Sequence, residues 1–597
     1  MSLRLFRREL KKLADYSLYV VTDDVYANPE TLTRKIAASL LGGASCVQVR
    51  LKKSDDRPFW TLARDLRHLC TVHGVPLIVN NRADIALAVD ADGLHIGQGD
   101  LPPVEARRLI GPDRILGITI KADRPETIEA ALDPRVCPDY IATNAVFPTG
   151  TKETEAIGPE GFRQAVETLQ RLCRERQIEC PPVVAIGGIH SGNVDSVFRA
   201  VPLTAGIAAV SALLGEEDEG FTGRETLKRA ESFLTAIDVA RDGELSASVH
   251  RRLRQILRRL RAPLLDPLVG EALTEGSIPP RPLVHHMTNT VVQTQSANAT
   301  ILAGCAPLMT TNAEETEEIA SISSSLVLNG GTLTSAWIDA LAIAKRLKRA
   351  RMEAKSGGQT EGHVVPFIFD PVGCGATGLR TRTFSDLVGS GIVEVIKGNG
   401  GEMAALARSG GYSGGGSVET RGVDSLGSVE DPTSLLRAVS REGRGDLPLT
   451  ACMSGASDVA VNDAGRVWAQ VDGGLSELGL MTGSGCLVTA LQGCFAAAEK
   501  ELLLSSSEKE TDLPPYFASA VGGFVFMKAA ARLALSLDLP SVTEGQREET
   551  GRGATGPGLA CGRAYSFRHG LFDGFGALTP ALMRTLSPHI TCERFPD

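Results

Sequence analysis

A basic excess is missing from this sequence. Its 62 Lys and Arg stand against 71 Asp and Glu, a formal net charge of −9. A general nucleic-acid binder carries the opposite balance, so nucleic acid is not an expected partner. No run approaches the ~20 consecutive apolar residues of a membrane span, so no membrane partner is expected either. The opening MSLRLFRREL has no apolar signal core, and Glu9 and Asp15 argue against a mitochondrial presequence, which leaves the cytoplasm as the expected compartment. The 12 cysteines are scattered, without a CxxC pair or a Cys/His cluster at zinc spacing, and point to reduced thiols. GxxxxGK[ST] is absent, which excludes a P-loop nucleotide site.

What is present is a long, well-packed chain. Its 597 residues exceed one ordinary core, and 43% of them are hydrophobic, enough for full globular packing. Two basic stretches, Arg4 to Lys12 and HRRLRQILRRLR (250–261), have helical spacing and are expected to be solvated helix faces.

The first half has a regular rhythm. Eight short β-rich runs alternate with amphipathic segments: 17–23, 46–52, 76–81, 93–97, 115–120, 140–147, 182–189 and 206–210. Near-continuous apolar strands alternating with helices imply a parallel sheet covered on both faces, and eight units predict a closed (β/α)8 TIM barrel. An open doubly wound sheet is the alternative. From about residue 217 the sequence turns charged and helical. The expected division is a barrel over 1–235, a helical joint over 236–262 and a second α/β domain with a mostly parallel sheet over 263–597. Three insertions, 354–363, 409–429 and 541–556, read as surface loops or disordered stretches.

A barrel gathers the C-terminal ends of its strands into one site. In QVRLK (48–52), alternation in a strand puts Gln48, Arg50 and Lys52 on one face, an anion pocket or merely a charged exposed face. FPTGTK (147–152) offers hydroxyls, backbone N–H groups and Lys152. Gly187, Gly188 and Ser211 end the seventh and eighth strands, where barrels often build phosphate sites. Asp100 lies just past the fourth strand, as a Mg2+ ligand or as the N-cap of the helix begun by PPVEARRLI.

These pieces, with VNNRADIALAVDADGLHIGQGDLP, AIGGI and AAVS, make residues 15–235 resemble thiamine phosphate synthase. The resemblance implies Mg2+-dependent displacement of pyrophosphate from hydroxymethylpyrimidine diphosphate by a thiazole phosphate. It assigns Gln48, Val49, Arg50, Leu51, Lys52, Asn80, Thr119 and Lys152 to the pyrimidine diphosphate, with Arg50 and Lys152 acting on the leaving group. Thr149, Gly150, Thr151, Gly188, Val210 and Ser211 would take the thiazole phosphate, and Asn81 and Asp100 the metal. Asn81 stands where the family usually has Asp, so weaker Mg2+ affinity is expected.

In the second half, FDPVGCGATGLR (369–380) ends a strand, EVIKGNGGEMAALA (394–407) runs from a strand into a helix, and LMTGSGCLVTA (480–490) turns through small residues into an apolar helix. The last is a backbone anion hole whose tip is the thiol of Cys486. A helix N-terminus favours a lowered thiol pKa, so Cys486 is expected to accept a proton weakly. With PLVHHMTNTVVQTQSANATILAGCAPLM (282–309), LVLNGGTL, GVDS and GPG, residues 263–580 resemble hydroxyethylthiazole kinase of the ribokinase-like fold. The resemblance implies phosphorylation of the thiazole alcohol by ATP with Mg2+. Asn289, Met309 and Gly483 would line the thiazole pocket. Lys397, Ser454, Thr482 and Gly485 would contact ATP, Glu402 would hold Mg2+ through water, and Cys486 would be the catalytic tip. Together the halves resemble fungal bifunctional thiamine enzymes working on small molecules, as a trimer-based homo-oligomer or a hexamer. The alternative is an active kinase joined to a barrel that only binds ligand or serves assembly.

Overall fold

The computed structural model describes residues 11, 14–26, 28–150, 155–215, 223–262, 279–356, 364–413, 419–421, 424–426, 429–443, 448–505, 512–538 and 557–595. They divide into two units. The first is formed by the described residues up to Arg254 with Thr579–Thr585; the second holds those from Gln255 to Leu578 and from Leu586 on.

The first unit is a closed barrel of eight parallel strands in sequential order: β1 (Leu18–Val21), β2 (Cys46–Val49), β3 (Leu77–Asn80), β4 (Gly93–Ile96), β5 (Ile115–Thr119), β6 (Tyr140–Ala142), β7 (Val183–Ile186) and β8 (Gly206–Ala209). Closure is made by β1 on β8, Tyr19 opposite Ala208. Leu, Val and Ile on the outer strand faces pack under the helices. The barrel interior holds Tyr16, Tyr19, Ile78, Ile115, Tyr140 and Val184. Helix entry follows local chemistry: the Asn28 side chain accepts from the N–H groups of Glu30 and Thr31 at the start of Pro29–Leu41.

All eight strands are shorter than the runs that suggested them, and in two of them this bears on the site. β2 stops at Val49, so Arg50 and Lys52 lie in the loop beyond it rather than on a strand face. β6 stops at Ala142, because the chain after it turns so that the Val146 and Phe147 N–H groups bond the carbonyls of Ile186 and Gly187.

The second unit is a nine-stranded sheet. Six strands are parallel: β9 (Leu283–Met287), β10 (Ala306–Met309), β11 (Ser325–Asn329), β12 (Phe367–Asp370), β13 (Val395–Asn399) and β16 (Thr450–Ser454). Three antiparallel strands follow, β17 (Asp458–Asn462), β18 (Val467–Val471) and β19 (Ile590–Arg594), in the order β10-β9-β11-β12-β13-β16-β17-β18-β19. The insertion at 409–429 carries a small antiparallel pair, β14 (Glu419–Arg421) with β15 (Asp424–Leu426), where a surface loop or disordered stretch was expected. The insertion at 541–556 lies outside the described residues. Among the described residues one helix, Phe517–Ser536, is long and apolar enough to cross a membrane, and most of it is buried within the protein.

The basic stretch 250–261 is not a solvated face. It ends a helix, Gly223–Arg261, broken at Gly243 by non-helical backbone, and Arg252, Arg254 and Arg261 are buried. In the first unit Arg254 donates to Asp238 at 2.6 Å, and Asp238 also takes Arg584 at 2.8 Å. In the second, Arg261 donates to the carbonyl of Leu302 at 2.7 Å and to that of Phe575. Long side chains can be buried along apolar stems when a partner takes the charged head, although Arg254 Nε and Nη2 and Arg261 Nε have no partner among the described residues. Lys11, from the N-terminal run, likewise pairs with Asp139 at 2.9 Å.

Candidate active sites

At the C-terminal mouth of the barrel lies a cavity of about 1250 Å3. Gln48, Arg50, Lys52, Asn80, Asp100, Thr119, Thr149, Gly150, Gly188, Val210 and Ser211 all line it. Val49 and Leu51 do not; their side chains belong to the hydrophobic core. Thr151 and Lys152 lie outside the described residues.

Arg50 is held by an ion pair with Asp23, and its N–H donates to the Thr22 hydroxyl at 2.8 Å. The Asp24 carboxylate accepts the backbone N–H of Lys52 at 2.7 Å and of Lys53 at 3.0 Å, shaping the loop that presents both cations. The TDD sequence after β1 was the available signal for these residues: it is a polar strand end like the others. Asn80 is 5% exposed, and its Nδ2 has no partner among the described residues, so a donor stands ready on the cavity wall.

Asp100 does not cap the following helix, whose N-cap is Pro102. Its Oδ2 accepts the Gly97 N–H at 2.8 Å and its Oδ1 accepts the Asn81 side-chain amide at 2.9 Å. Asn81 holds a left-handed φ of 52°, a conformation Asn tolerates better than most residues. The pair offers one carboxylate and one amide oxygen. That sparse protein set suits Mg2+, which keeps waters and takes substrate phosphates as its remaining ligands.

Across the mouth, Gly188 at φ 61° leaves no room for a Cβ against Pro148 and Phe147. Its carbonyl accepts from Asn193 Nδ2 at 3.0 Å. Ser211 begins the short helix Ser211–Leu214. Tyr19, His95, Tyr140 and Asn144 also line the cavity, although sequence reasoning did not select them.

The second unit brings Asp370, Lys397, Glu402 and Cys486 together at the ends of β12 and β13 and the start of the helix Ser484–Ser505. Asp370 is 1% exposed and accepts from Thr489 at 2.9 Å and from Asn329 at 3.2 Å. Burial raises its pKa despite nearby Lys397. For Lys397, burial acts downward, but the charges of Asp370 and then Glu402 outweigh it and hold the amine cationic. Its Nζ would lie 2.8 Å from a Cβ at position 485, so the charge sits at the glycine turn. Glu402 closes a capping box, accepting the Asn399 N–H at 2.8 Å while its own N–H donates to Asn399 Oδ1 at 2.9 Å. Its other oxygen accepts the Gly373 N–H at 2.8 Å. Both carboxylate oxygens are thus committed to backbone, and burial first, then Asp370, raises its pKa to about 7.

Cys486 overturns one expectation. Its thiol pKa is pushed up to about 12, by burial first and by the Asp370 charge next, which together exceed the lowering effect of Lys397. Asn289 Nδ2 reaches Cys486 Sγ at 3.8 Å and Asn329 Oδ1 at 2.8 Å, so the thiol belongs to a buried polar cluster. Gly483 adopts φ 86°, and a Cβ there would collide with Val292. Ser454 ends β16 with its hydroxyl 3.4 Å from the Gly398 carbonyl, Thr482 is exposed in the turn, and Met309 ends β10.

Two families match this division of labour. A sequence model described as thiamine monophosphate synthase matches residues 18–213, and one described as the hydroxyethylthiazole kinase family matches 279–512. A probable thiamine biosynthetic bifunctional enzyme of Schizosaccharomyces pombe is 31% identical over 82% of this chain and 86% of its own length. This chain belongs to the thiamine biosynthetic bifunctional enzymes. The Saccharomyces cerevisiae thiamine biosynthetic bifunctional enzyme is 29% identical over 88% of this chain and 92% of its own. Thiamine-phosphate synthase of Desulfitobacterium hafniense is 40% identical over 34% of this chain. The barrel unit is therefore the thiamine-phosphate synthase and the nine-stranded unit the hydroxyethylthiazole kinase of one bifunctional enzyme.

Proposed function

We propose that the two sites act in sequence, the kinase phosphorylating the thiazole alcohol from ATP and the barrel joining the product to the pyrimidine. In the barrel, Arg50 and Lys52 neutralise the leaving diphosphate, and the family resemblance adds Lys152 to this role. Gln48, Asn80 and Thr119 hold the pyrimidine ring. Asp100 and Asn81 would hold Mg2+, which supplies charge neutralisation on the pyrophosphate. A delocalised pyrimidinylmethyl cation needs no protein nucleophile; positioned charge and exclusion of water are sufficient. Thr149, Gly150, Thr151, Gly188, Val210 and Ser211 seat the thiazole phosphate.

In the kinase, Asn289, Met309 and Gly483 place the alcohol. The N–H groups of Thr482 to Gly485, at a helix N-terminus, receive the moving phosphoryl group, and Lys397 and Ser454 lie along the nucleotide phosphates. Glu402 would hold Mg2+ through a water, while also bracing the β13 turn. The enzyme works in the cytoplasm as a trimer-based homo-oligomer.

The observation that carries this reading is the convergence of Arg50, Lys52, Asn80, Asp100 and Thr119 on one cavity. Position 81 tests it. Asn81→Asp adds a second carboxylate beside Asp100, so the Mg2+ concentration for half-maximal thiamine phosphate formation should fall several-fold. An unchanged Mg2+ requirement would remove residues 81 and 100 from the metal site.

A further inference from the structure

Five barrel strands contribute to one unbroken hydrogen-bonded chain across the floor of the synthase cavity. Gln48 Nε2 donates to the Tyr19 hydroxyl at 2.9 Å. The Tyr19 and Tyr140 hydroxyls are 2.8 Å apart. Tyr140 Oη is 2.8 Å from His95 Nδ1, and His95 Nε2 is 2.8 Å from Thr119 Oγ1. Tyr19 and Tyr140 are 1% and 0% exposed.

Each phenol has one proton, which gives the chain a direction. Tyr19 accepts from Gln48, so its own proton goes to Tyr140. Tyr140 then donates to His95 Nδ1, and the imidazole donates from Nε2 to Thr119. The two ends meet the cavity with opposite polarity. Gln48 is left with its carbonyl oxygen as an acceptor, and Thr119 with a hydroxyl proton to donate. Asn80 Nδ2, the unpartnered donor on β3, stands among them.

The barrel is built around this chain. Gly117 on β5 faces Tyr140 so closely that any Cβ would collide with the phenol ring and its hydroxyl. A buried polar network is costly unless every member is satisfied, and this one is satisfied along its length.

We propose that Tyr19, Tyr140 and His95 are positioning residues that fix these polarities and thereby select an aminopyrimidine diphosphate over its oxo counterpart. The inference rests on the synthase reading of the barrel. An aminopyrimidine presents an exocyclic donor and ring-nitrogen acceptors, matching Gln48 Oε1, Asn80 Nδ2 and the Thr119 hydroxyl. An oxo ring presents a carbonyl acceptor and a ring N–H, the inverted pattern, and would leave site groups unpaired.

The test uses the full-length enzyme, with two diphosphates that differ only in an exocyclic amine or a ring carbonyl. In Tyr140→Phe, the kcat/KM preference for the amine should fall by about tenfold or more, chiefly through KM. Kinase turnover, measured on the same preparation, should stay at the wild-type value. Tyr16→Phe is the packing control: the Tyr16 ring packs tilted against Tyr140 at 4.7 Å between centroids but lies outside the chain, and its preference should stay unchanged. Equal losses on both diphosphates in Tyr140→Phe, or the same shift in Tyr16→Phe, would overturn the proposal. If Tyr140→Phe does not fold, Tyr19→Phe decides, with the same fall expected and an unchanged preference fatal. A wild-type enzyme making no product from either diphosphate would instead overturn the synthase reading.

Discussion

Cys486 occupies the place where a phosphotransferase would often put a base, yet at a thiol pKa of about 12 it is almost wholly protonated at neutral pH. Proton acceptance by the thiolate is therefore not what the residue supplies. Loose phosphoryl transfer relies on positioning and on charge, which the proposed site draws from the Gly483–Gly485 backbone and Lys397. Cys486→Ser should retain kcat for thiazole phosphate formation within about tenfold of wild type, read by product release in the presence of saturating ATP. Loss of turnover with ATP binding intact would return a chemical role to the thiol. Residue types at strand ends made Gln48, Arg50, Asn80 and Thr119 legible in the sequence. Tyr19, Tyr140 and His95 were not, because each looks like an ordinary core residue until three strands bring their polar atoms within 2.8 Å. Asp23 was missed for a similar reason: its partner Arg50 lies on the next strand's loop.

Among the elements, the kinase turn before Ser484–Ser505 depends on Gly483. The left-handed φ of 86° and the contact with Val292 both oppose a side chain. Gly483→Ala should lower kinase kcat/KM at least about tenfold, since a shift of one ångström in such a turn is costly, while leaving thiamine phosphate formation from supplied thiazole phosphate unchanged. Equal loss of both activities would point to unfolding. The helix Asp56–His73 makes a different prediction. His73 is buried, and burial lowers its pKa from 6.5 to about 4. The unfolded chain thus takes a proton between those values that the folded one refuses. His73 contributes full stability above pH 6.5 and loses it as pH falls toward 4, by at most about 3 kcal/mol. His73→Leu should flatten that part of the urea-midpoint profile of the barrel unit between pH 7 and 4.5; an unchanged slope would mean that His73 is solvated in the native state. Strand existence was legible because apolar runs alternate with amphipathic ones. Strand ends were not: β2 and β6 stop where loop hydrogen bonds from neighbouring strands capture the chain, and local sequence does not encode those partners.

On the scale of the whole molecule, the two-unit plan followed from length and from two independent sets of motifs. The arrangement around its joint did not. Residues Thr579–Thr585 follow kinase sequence, yet pack with the barrel unit, where Thr579 donates to the His73 carbonyl at 2.7 Å and Arg584 meets Asp238. Nothing in that short segment announces its partner, because ion pairing chosen by the fold leaves no local pattern. The central claim is that one chain carries both steps. The direct measurement is a single reaction containing thiazole alcohol, ATP, Mg2+ and pyrimidine diphosphate, followed by mass spectrometry. Thiamine phosphate should form, and should vanish when either ATP or the pyrimidine is withheld. Thiazole phosphate accumulating without thiamine phosphate would contradict the account, leaving a working kinase joined to a barrel that binds its ligand and does not turn it over.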